Sequence, residues 1–413
     1  MAWNIGANDV ANAMGTSVGS RALTYLKAII VAAIFEFAGA LIVGGNVTST
    51  IQSKVIDVEA FKFVEIDLML GMMSALLASG IWLHYATMRG WPNSTTHTIL
   101  GGIVGFGLVT GGFGLIKWPM IGKIVLSWVI SPIAGGVVAW LVFLVILRRI
   151  IQQPDPRQAM MKVVPIIVFV FLFVIIISLF YKGLKNLSID LPGMTVLLLA
   201  TAVGLAGAGV TRLILPRAIK SGGLGHSRRP VERVFAVLQV MTACYMAFAH
   251  GANDVANAIG PLAAVANVAI GGIEALQQTV PIWVLLIGAV GIVSGLAMLG
   301  YKVMATVGHN ITGIAPTRGF AAEFGAATTV LVCSKIGLPI STTHTLIGAV
   351  VGIGLLRGIN SVNLKVISQV VMSWLTTIPA AAILCSLIYF ILKGVYSLMV
   401  HWGWIAEIVI NAN

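Results

Sequence analysis

Runs of about 20 apolar residues recur along the chain, broken by short polar or glycine-containing stretches. Residues 24–44, 121–147, 163–181 and 281–301 hold no Lys or Arg except Lys27 and Lys123, near the ends. A helix of about 20 residues rises about 30 Å, the thickness of a bilayer's hydrocarbon core. The pattern predicts an all-α integral membrane protein. Composition agrees, with 58% hydrophobic and 9% charged residues against roughly 25% charged in ordinary globular chains. A domain of this length cannot hide that much apolar surface from water, so lipid is its expected partner.

The runs fall into two related sets. Gly6-Ala7-Asn8-Asp9-Val10-Ala11-Asn12-Ala13 returns unchanged at Gly251 to Ala258. Pro92-Asn93-Ser94-Thr95-Thr96-His97-Thr98 returns as Pro339-Ile340-Ser341-Thr342-Thr343-His344-Thr345, and Ser127-Trp128 with Pro132 returns more weakly as Ser373-Trp374 with Pro379. Three markers in one order at nearly one offset indicate an internal duplication. Each half reads as five membrane passes, with two unpaired spans near 163–181 and 193–212 between them, about 12 in all. An odd number of passes per half gives the halves opposite orientations, an inverted repeat with broken or re-entrant helices. The predicted divisions are residues 1–150, 151–230 for the linking spans and a basic loop, 231–394, and a tail at 395–413.

Charge adds orientation. The 25 Lys+Arg against 13 Asp+Glu lack the aromatic interleaving of a nucleic-acid surface, so no nucleic-acid partner is expected. With both termini outside, Arg148, Arg149, Arg157, Lys162 and the basic 212–233 stretch gather inside, where Lys and Arg are retained. Asp57, Glu59, Glu65, Asp67, Asp190, Glu274 and Glu407 then fall outside. Cys244, Cys333 and Cys385 lie in apolar segments and read as small core residues. About 18 apolar residues precede the second GANDVANA, but only Met1 to Ile5 precede the first. The first helix therefore reads as cut at its start, with a natural N-terminus upstream of Met1.

Four acids, Asp9, Glu36, Asp254 and Glu323, fall inside apolar segments. Each would cost about 2.5–3.5 kcal/mol at a helix centre facing lipid, so they face a polar interior. Asn8, Asp9 and Asn12 share one helix face by their i,i+3 and i,i+4 spacing, as do Asn253, Asp254 and Asn257. Carboxylate and amide oxygens on small-residue helices suit a hard cation such as Na⁺ better than zinc or copper; interhelical hydrogen bonding is the plainer alternative. The hydroxyls of Ser94, Thr95 and Thr96, and of Ser341, Thr342 and Thr343, follow a proline, which suits a helix's first turn, and hydroxyls satisfy the free N–H groups there. Such a start inside the membrane offers free N–H groups and a positive dipole end to an anion; a simple cap is the alternative. His97 and His344 read either as proton relays or as orienting residues.

No embedded Lys or Arg is evident to balance an anion, so an oxyanion would need cations to enter with it. No P-loop, nucleophile–base pair or long extramembrane domain is present, which argues against an ATP-driven pump, an enzyme or a receptor. A passive anion channel remains as a rival. No cofactor is expected beyond the co-transported ion.

The paired GANDVANA and P-x-S-T-T-H motifs resemble those of the inorganic phosphate transporter (PiT) family, over nearly the whole chain. The resemblance implies 12 spans, an inverted repeat, plasma-membrane location and symport of inorganic phosphate with a cation, usually Na⁺. It implies that Asp9, Asn12, Asp254 and Asn257 contact cation and phosphate, that Ser94, Thr95, Thr96, Ser341, Thr342 and Thr343 donate to phosphate, and that Glu323 is functional. The cation set then reads Asn8, Asp9, Asn253, Asp254 and Glu323, with Glu36, His97 and His344 as accessory residues. Leu76 stands where the repeat places a partner of Glu323. Protons, metal–phosphate complexes and sulfate are the variants found among relatives. The absence of His from GANDVANA favours Na⁺. A homo-oligomer is left open.

Overall fold

A computed structural model describes residues 1–180, 191–220, 229–277, 280–305, 315–358 and 361–403. Among them every regular element is helical, apart from one isolated antiparallel bridge between Ile56 and Ile116. The first half carries α1 (Ala2–Asn8), α2 (Val10–Gly19), α3 (Tyr25–Val43), α4 (Gly45–Ser53), α5 (Glu65–Met88), α6 (Thr95–Gly111) and α7 (Trp118–Ile146). Two helices packed on each other follow, α8 (Pro156–Phe180) and α9 (Gly193–Lys220). The second half carries α10 (Arg229–Gly271), α11 (Ile282–Leu299), α12 (Tyr301–Ala305), α13 (Pro316–Lys335), α14 (Thr342–Leu356) and α15 (Leu364–His401).

Nine helices among the described residues are long and apolar enough to cross a membrane. The remaining expected passes form α1 with α2, α13 and α14, which are too short or too polar by that measure. Their environment explains why. Most residues of α13 and α14 are buried against protein, and a helix largely enclosed by other helices needs little apolar surface for lipid. The outer helices show the opposite. Leu126, Val129, Ile130 and Ile133 on α7, and Leu387, Phe390 and Ile391 on α15, are exposed large apolar residues, as expected of a lipid-facing surface.

Small residues set the distances between helices. A Cβ on Gly6 would lie 1.8 Å from the Ile292 carbonyl oxygen of α11, and one on Gly251 would lie 2.1 Å from the Glu36 carbonyl oxygen of α3. Each GANDVANA copy thus begins with a glycine seated on the backbone of a neighbouring helix. The copies differ in continuity: the first is divided at Asp9 between α1 and α2, while the second runs unbroken through α10.

Two sequence expectations shift. In the basic 212–233 stretch, residues 212–220 continue α9 and 229–233 open α10, so helix replaces much of the expected loop. α15 runs to His401, past the expected tail boundary at 394. Asp190, Arg228 and Glu407 lie outside the described residues.

Candidate functional site

The site is built on two helix starts inside the bundle. After α5 and α13 the chain leaves helical geometry, then re-enters it at α6 and α14. Ser94 and Ser341 are the N-caps: each side-chain oxygen accepts from the backbone N–H three residues on, of His97 and His344, at 3.2 Å. Both serines are buried. Pro92 and Pro339 lie two residues ahead of the caps rather than in the first turn, which corrects the expected placement. Their ring restricts the approach to the helix instead.

Asn8 holds the first approach strand. Its Nδ2 donates to Thr87 Oγ1 and to the Trp91 carbonyl oxygen, both at 3.0 Å, and its Oδ1 accepts from Asn93 N at 2.9 Å. Asn253 meets Ser334 Oγ at 3.0 Å; with its amide oxygen accepting there, Nδ2 reaches the Ile340 oxygen at 3.1 Å and Asp254 Oδ1 at 3.2 Å. Both asparagines therefore anchor the loops that lead into α6 and α14.

Asp9 and Asp254 lie at those helix starts, buried. Thr95 Oγ1 donates to Asp9 Oδ2 and Thr342 Oγ1 to Asp254 Oδ2, each at 2.5 Å. The halves also interlock. Thr343 Oγ1, from the second half, lies 2.8 Å from Asp9 Oδ1 and 3.1 Å from the Asn93 oxygen. Thr96 Oγ1 donates to the Ile340 oxygen at 2.9 Å. Asn257 Nδ2 reaches Thr95 Oγ1 at 3.0 Å, Thr96 Oγ1 at 3.1 Å and Asp254 Oδ1 at 3.2 Å. The side chain of Asn12 lies outside the described residues.

His250 is the residue that sequence reasoning missed. Its Nδ1 lies 2.8 Å from Glu36 Oε2 and its Nε2 2.8 Å from Asp254 Oδ2, with all three groups buried. Donor atoms of Asp9, His250 and Asp254 lie within 4.8 Å of one another. A signal was present: His250 directly precedes the second GANDVANA and stands i,i+4 to Asp254 on one helix. The motif lacks histidine, but its site does not.

The cation set expected from sequence divides. Glu323 Oε1 accepts from Thr16 at 2.5 Å, Ser17 at 2.6 Å and Gln239 at 3.2 Å, and its Oε2 accepts from Thr242 at 2.6 Å. It occupies a hydroxyl-lined cage of its own. Glu36 instead joins the aspartates through His250. Lys335 corrects the expectation of no embedded cation: it is buried at the end of α13 and donates to the Leu179 oxygen at 2.5 Å. His97 and His344 pack against each other, with ring centroids 4.4 Å apart.

Buried carboxylates from two helices, with amide and hydroxyl oxygens around them, form a set that suits a hard cation. Paired helix starts carrying threonine hydroxyls suit an oxyanion.

Comparison with known proteins agrees with that chemistry. Residues 5–385 match the phosphate transporter family. The chain is 45% identical to a putative phosphate permease of Haemophilus influenzae, covering 96% of this chain and 95% of that one. It is 44% identical to the chloroplastic inorganic phosphate transporter 2-1 of Arabidopsis thaliana, covering 96% and 71%. A solved structure described as the sodium-dependent phosphate transporter superposes with a TM-score of 0.88 at 41% identity, covering 96% of both chains. The chain belongs to the phosphate transporter family, a family of membrane carriers and not of enzymes.

Proposed function

We propose that this chain imports inorganic phosphate together with Na⁺ by alternating access, at a site between two inverted repeats in a 12-span plasma-membrane protein. The observation that carries the reading is the threonine–aspartate pairing. A hydroxyl has one hydrogen to donate, and those of Thr95 and Thr342 are given to Asp9 and Asp254. Cations that occupy the carboxylates take over those acceptors and free the hydroxyls to turn toward phosphate. Without cations the donors are engaged and the carboxylates repel the anion. Coupling follows from hydrogen-bond competition as well as from charge.

In this account Asp9, Asp254 and Asn257, with Asn12, bear on both cation and phosphate, while Ser94 and Ser341 fix the helix starts whose N–H groups face the anion. Asn8 and Asn253 position the loops, and Glu323 serves a separate cation step in its cage. The solved relative described as sodium-dependent supports Na⁺.

A second reading is favoured by His250. Its Nδ1 is hydrogen-bonded to Glu36 and its Nε2 lies 2.8 Å from Asp254 Oδ2 as an ion-pair contact; an imidazole can meet both carboxylates favourably only when it carries two N–H groups, so a proton could stand for one cation. Labelled-phosphate uptake into proteoliposomes separates the readings. Concentrative uptake driven by an inward Na⁺ gradient and competed poorly by sulfate is expected. Uptake under a proton gradient alone would give the coupling to protons. Equilibration without accumulation would make the protein a passive pore.

A further inference from the structure

The duplicated Ser-Trp pair has no part in the site described so far, and its position is informative. Trp128 of α7 packs on His97 of α6, with ring centroids 3.7 Å apart and planes at 38°. Trp374 of α15 packs on His344 of α14, at 3.4 Å and 24°. The two imidazoles meet at 4.4 Å with planes at 77°. Four rings therefore stand in one continuous row of contacts, Trp128–His97–His344–Trp374, two from each half of the chain, tilted or stacked at the outer contacts and edge-on at the central one. The histidines are buried at its centre, while the tryptophans are half-buried toward the outer surface.

Each histidine directly follows a threonine of the site, Thr96 or Thr343, and each has its backbone N–H held by the capping serine at 3.2 Å. The ring direction and the threonine direction are thus set by one first turn of helix. Polar bonds join the two helix starts on the threonine side, through Thr96 to the Ile340 oxygen and Thr343 to the Asn93 oxygen. On the histidine side the junction is ring on ring, with each imidazole also meeting the backbone of the other half's tryptophan.

We propose that His97 and His344 are positioning residues that act through this stack, holding the two threonine-bearing helix starts at the separation a tetrahedral oxyanion needs. Among the described residues neither imidazole forms an ion pair with a carboxylate, unlike His250, which has a carboxylate 2.8 Å from each nitrogen. Most of the work of the central pair is contact between faces and edges of rings, which a phenyl ring can do; it would lack only the polar contact of His97 with the Trp374 backbone and of His344 with the Trp128 backbone. The duplicated Ser-Trp follows from the same need, because each hairpin requires an outer ring to close its end of the stack.

The inference rests on phosphate being the anion held between the hairpins, so the control is uptake by the unmodified chain in proteoliposomes. Failure there refutes the function and leaves the stack aside. Given uptake, His97→Ala and His344→Ala should raise the phosphate KM about tenfold, the scale of one or two lost aromatic pairs, with a smaller change in maximal rate. His97→Phe and His344→Phe should restore KM to within about threefold and leave the pH profile of uptake as in the unmodified protein. Trp128→Ala against Trp128→Phe, and the same pair at Trp374, repeats the test from the half-buried ends should the histidine variants fail to reach the membrane. Phenylalanine variants as impaired as alanine ones, or a pH profile displaced in His97→Phe, would overturn the proposal in favour of imidazole as a proton or hydrogen-bond carrier.

Discussion

Asp9 and Asp254 hold the same place in two copies of one octapeptide, and each receives a hydroxyl at 2.5 Å from the helix start of its own half. Behind them the two copies part. Gly6 is seated on the Ile292 carbonyl and Gly251 on the Glu36 carbonyl, so Ile292 and Glu36 occupy corresponding positions. The residue before each glycine is Ile5 in the first copy and His250 in the second. Where the second copy buries an imidazole between two carboxylates, the first buries isoleucines. Glu323 follows the same rule, since Leu76 stands in its place. What is duplicated is the frame: glycine seats, serine caps and threonine–aspartate pairs, which geometry requires on both sides. What is single is the added charge, and a charge buried twice costs twice the desolvation. The added charge therefore gathers around the second copy, with Glu36 supplied to it from the first half.

The largest effects should come from the shared element. Asp9→Asn and Asp254→Asn each remove a carboxylate that the competition for hydroxyls requires. Phosphate uptake in proteoliposomes should fall at least about 100-fold, or about 2.7 kcal/mol, in either variant. Retained uptake in one of them would remove that aspartate from the site and end the equivalence of the two.

The next variants convert the second copy into the first. His250→Ile leaves Glu36 and Asp254 buried without their shared partner, a change expected to cost about 3–5 kcal/mol. Glu36→Ile combined with His250→Ile replaces the pair by packed apolar groups, as the first copy does, and should regain most of that stability. Thermal melting of the detergent-purified protein reads both, and the double variant should also show a shallower Na⁺ dependence of uptake. A double variant as unstable as the single one would mean that the pair is not self-contained. Glu323→Gln tests the other one-sided acid. The amide nitrogen would meet hydroxyls that now donate to the carboxylate. Uptake should fall about tenfold, as for one poorly satisfied buried group, with thermal melting altered less than by His250→Ile.

The same contrast shows what the sequence could reveal. Features repeated in both halves were legible, because identity between GANDVANA copies and between STTHT copies marks them. So were the apolar runs and the serine caps, which depend on residues within one helical turn. His250 was not, because it lies one residue outside the repeated block, where the copies differ, and its partner Glu36 is 214 positions away. Glu323 was legible as a buried acid but not as a member of a separate cage, since Thr16 and Gln239 come from distant helices. The prolines were placed one turn too late because a cap is defined by backbone dihedrals, extended at Ser94 and Ser341, and not by the nearest proline.

The smallest predicted effects test the threonines, and they sharpen the comparison at one hydroxyl. Thr96 and Thr343 are counterparts, and each reaches a backbone oxygen of the other half, Ile340 at 2.9 Å and Asn93 at 3.1 Å, but Thr343 Oγ1 also lies 2.8 Å from the Asp9 carboxylate. If cations release hydroxyls to phosphate by occupying carboxylates, Thr343 loses its Asp9 acceptor and must choose between phosphate and the Asn93 oxygen, while the acceptor of Thr96 is unchanged. Valine replaces the hydroxyl with a methyl of similar size, so packing is largely kept while the donor is lost. Thr343→Val should therefore raise the phosphate KM about three- to tenfold, the scale of one hydrogen bond. Thr96→Val should raise it less, and its effect should not depend on Na⁺ concentration. Equal, Na⁺-independent effects at both positions would mean that the threonines act only as helix-start packing, and that coupling rests on charge alone.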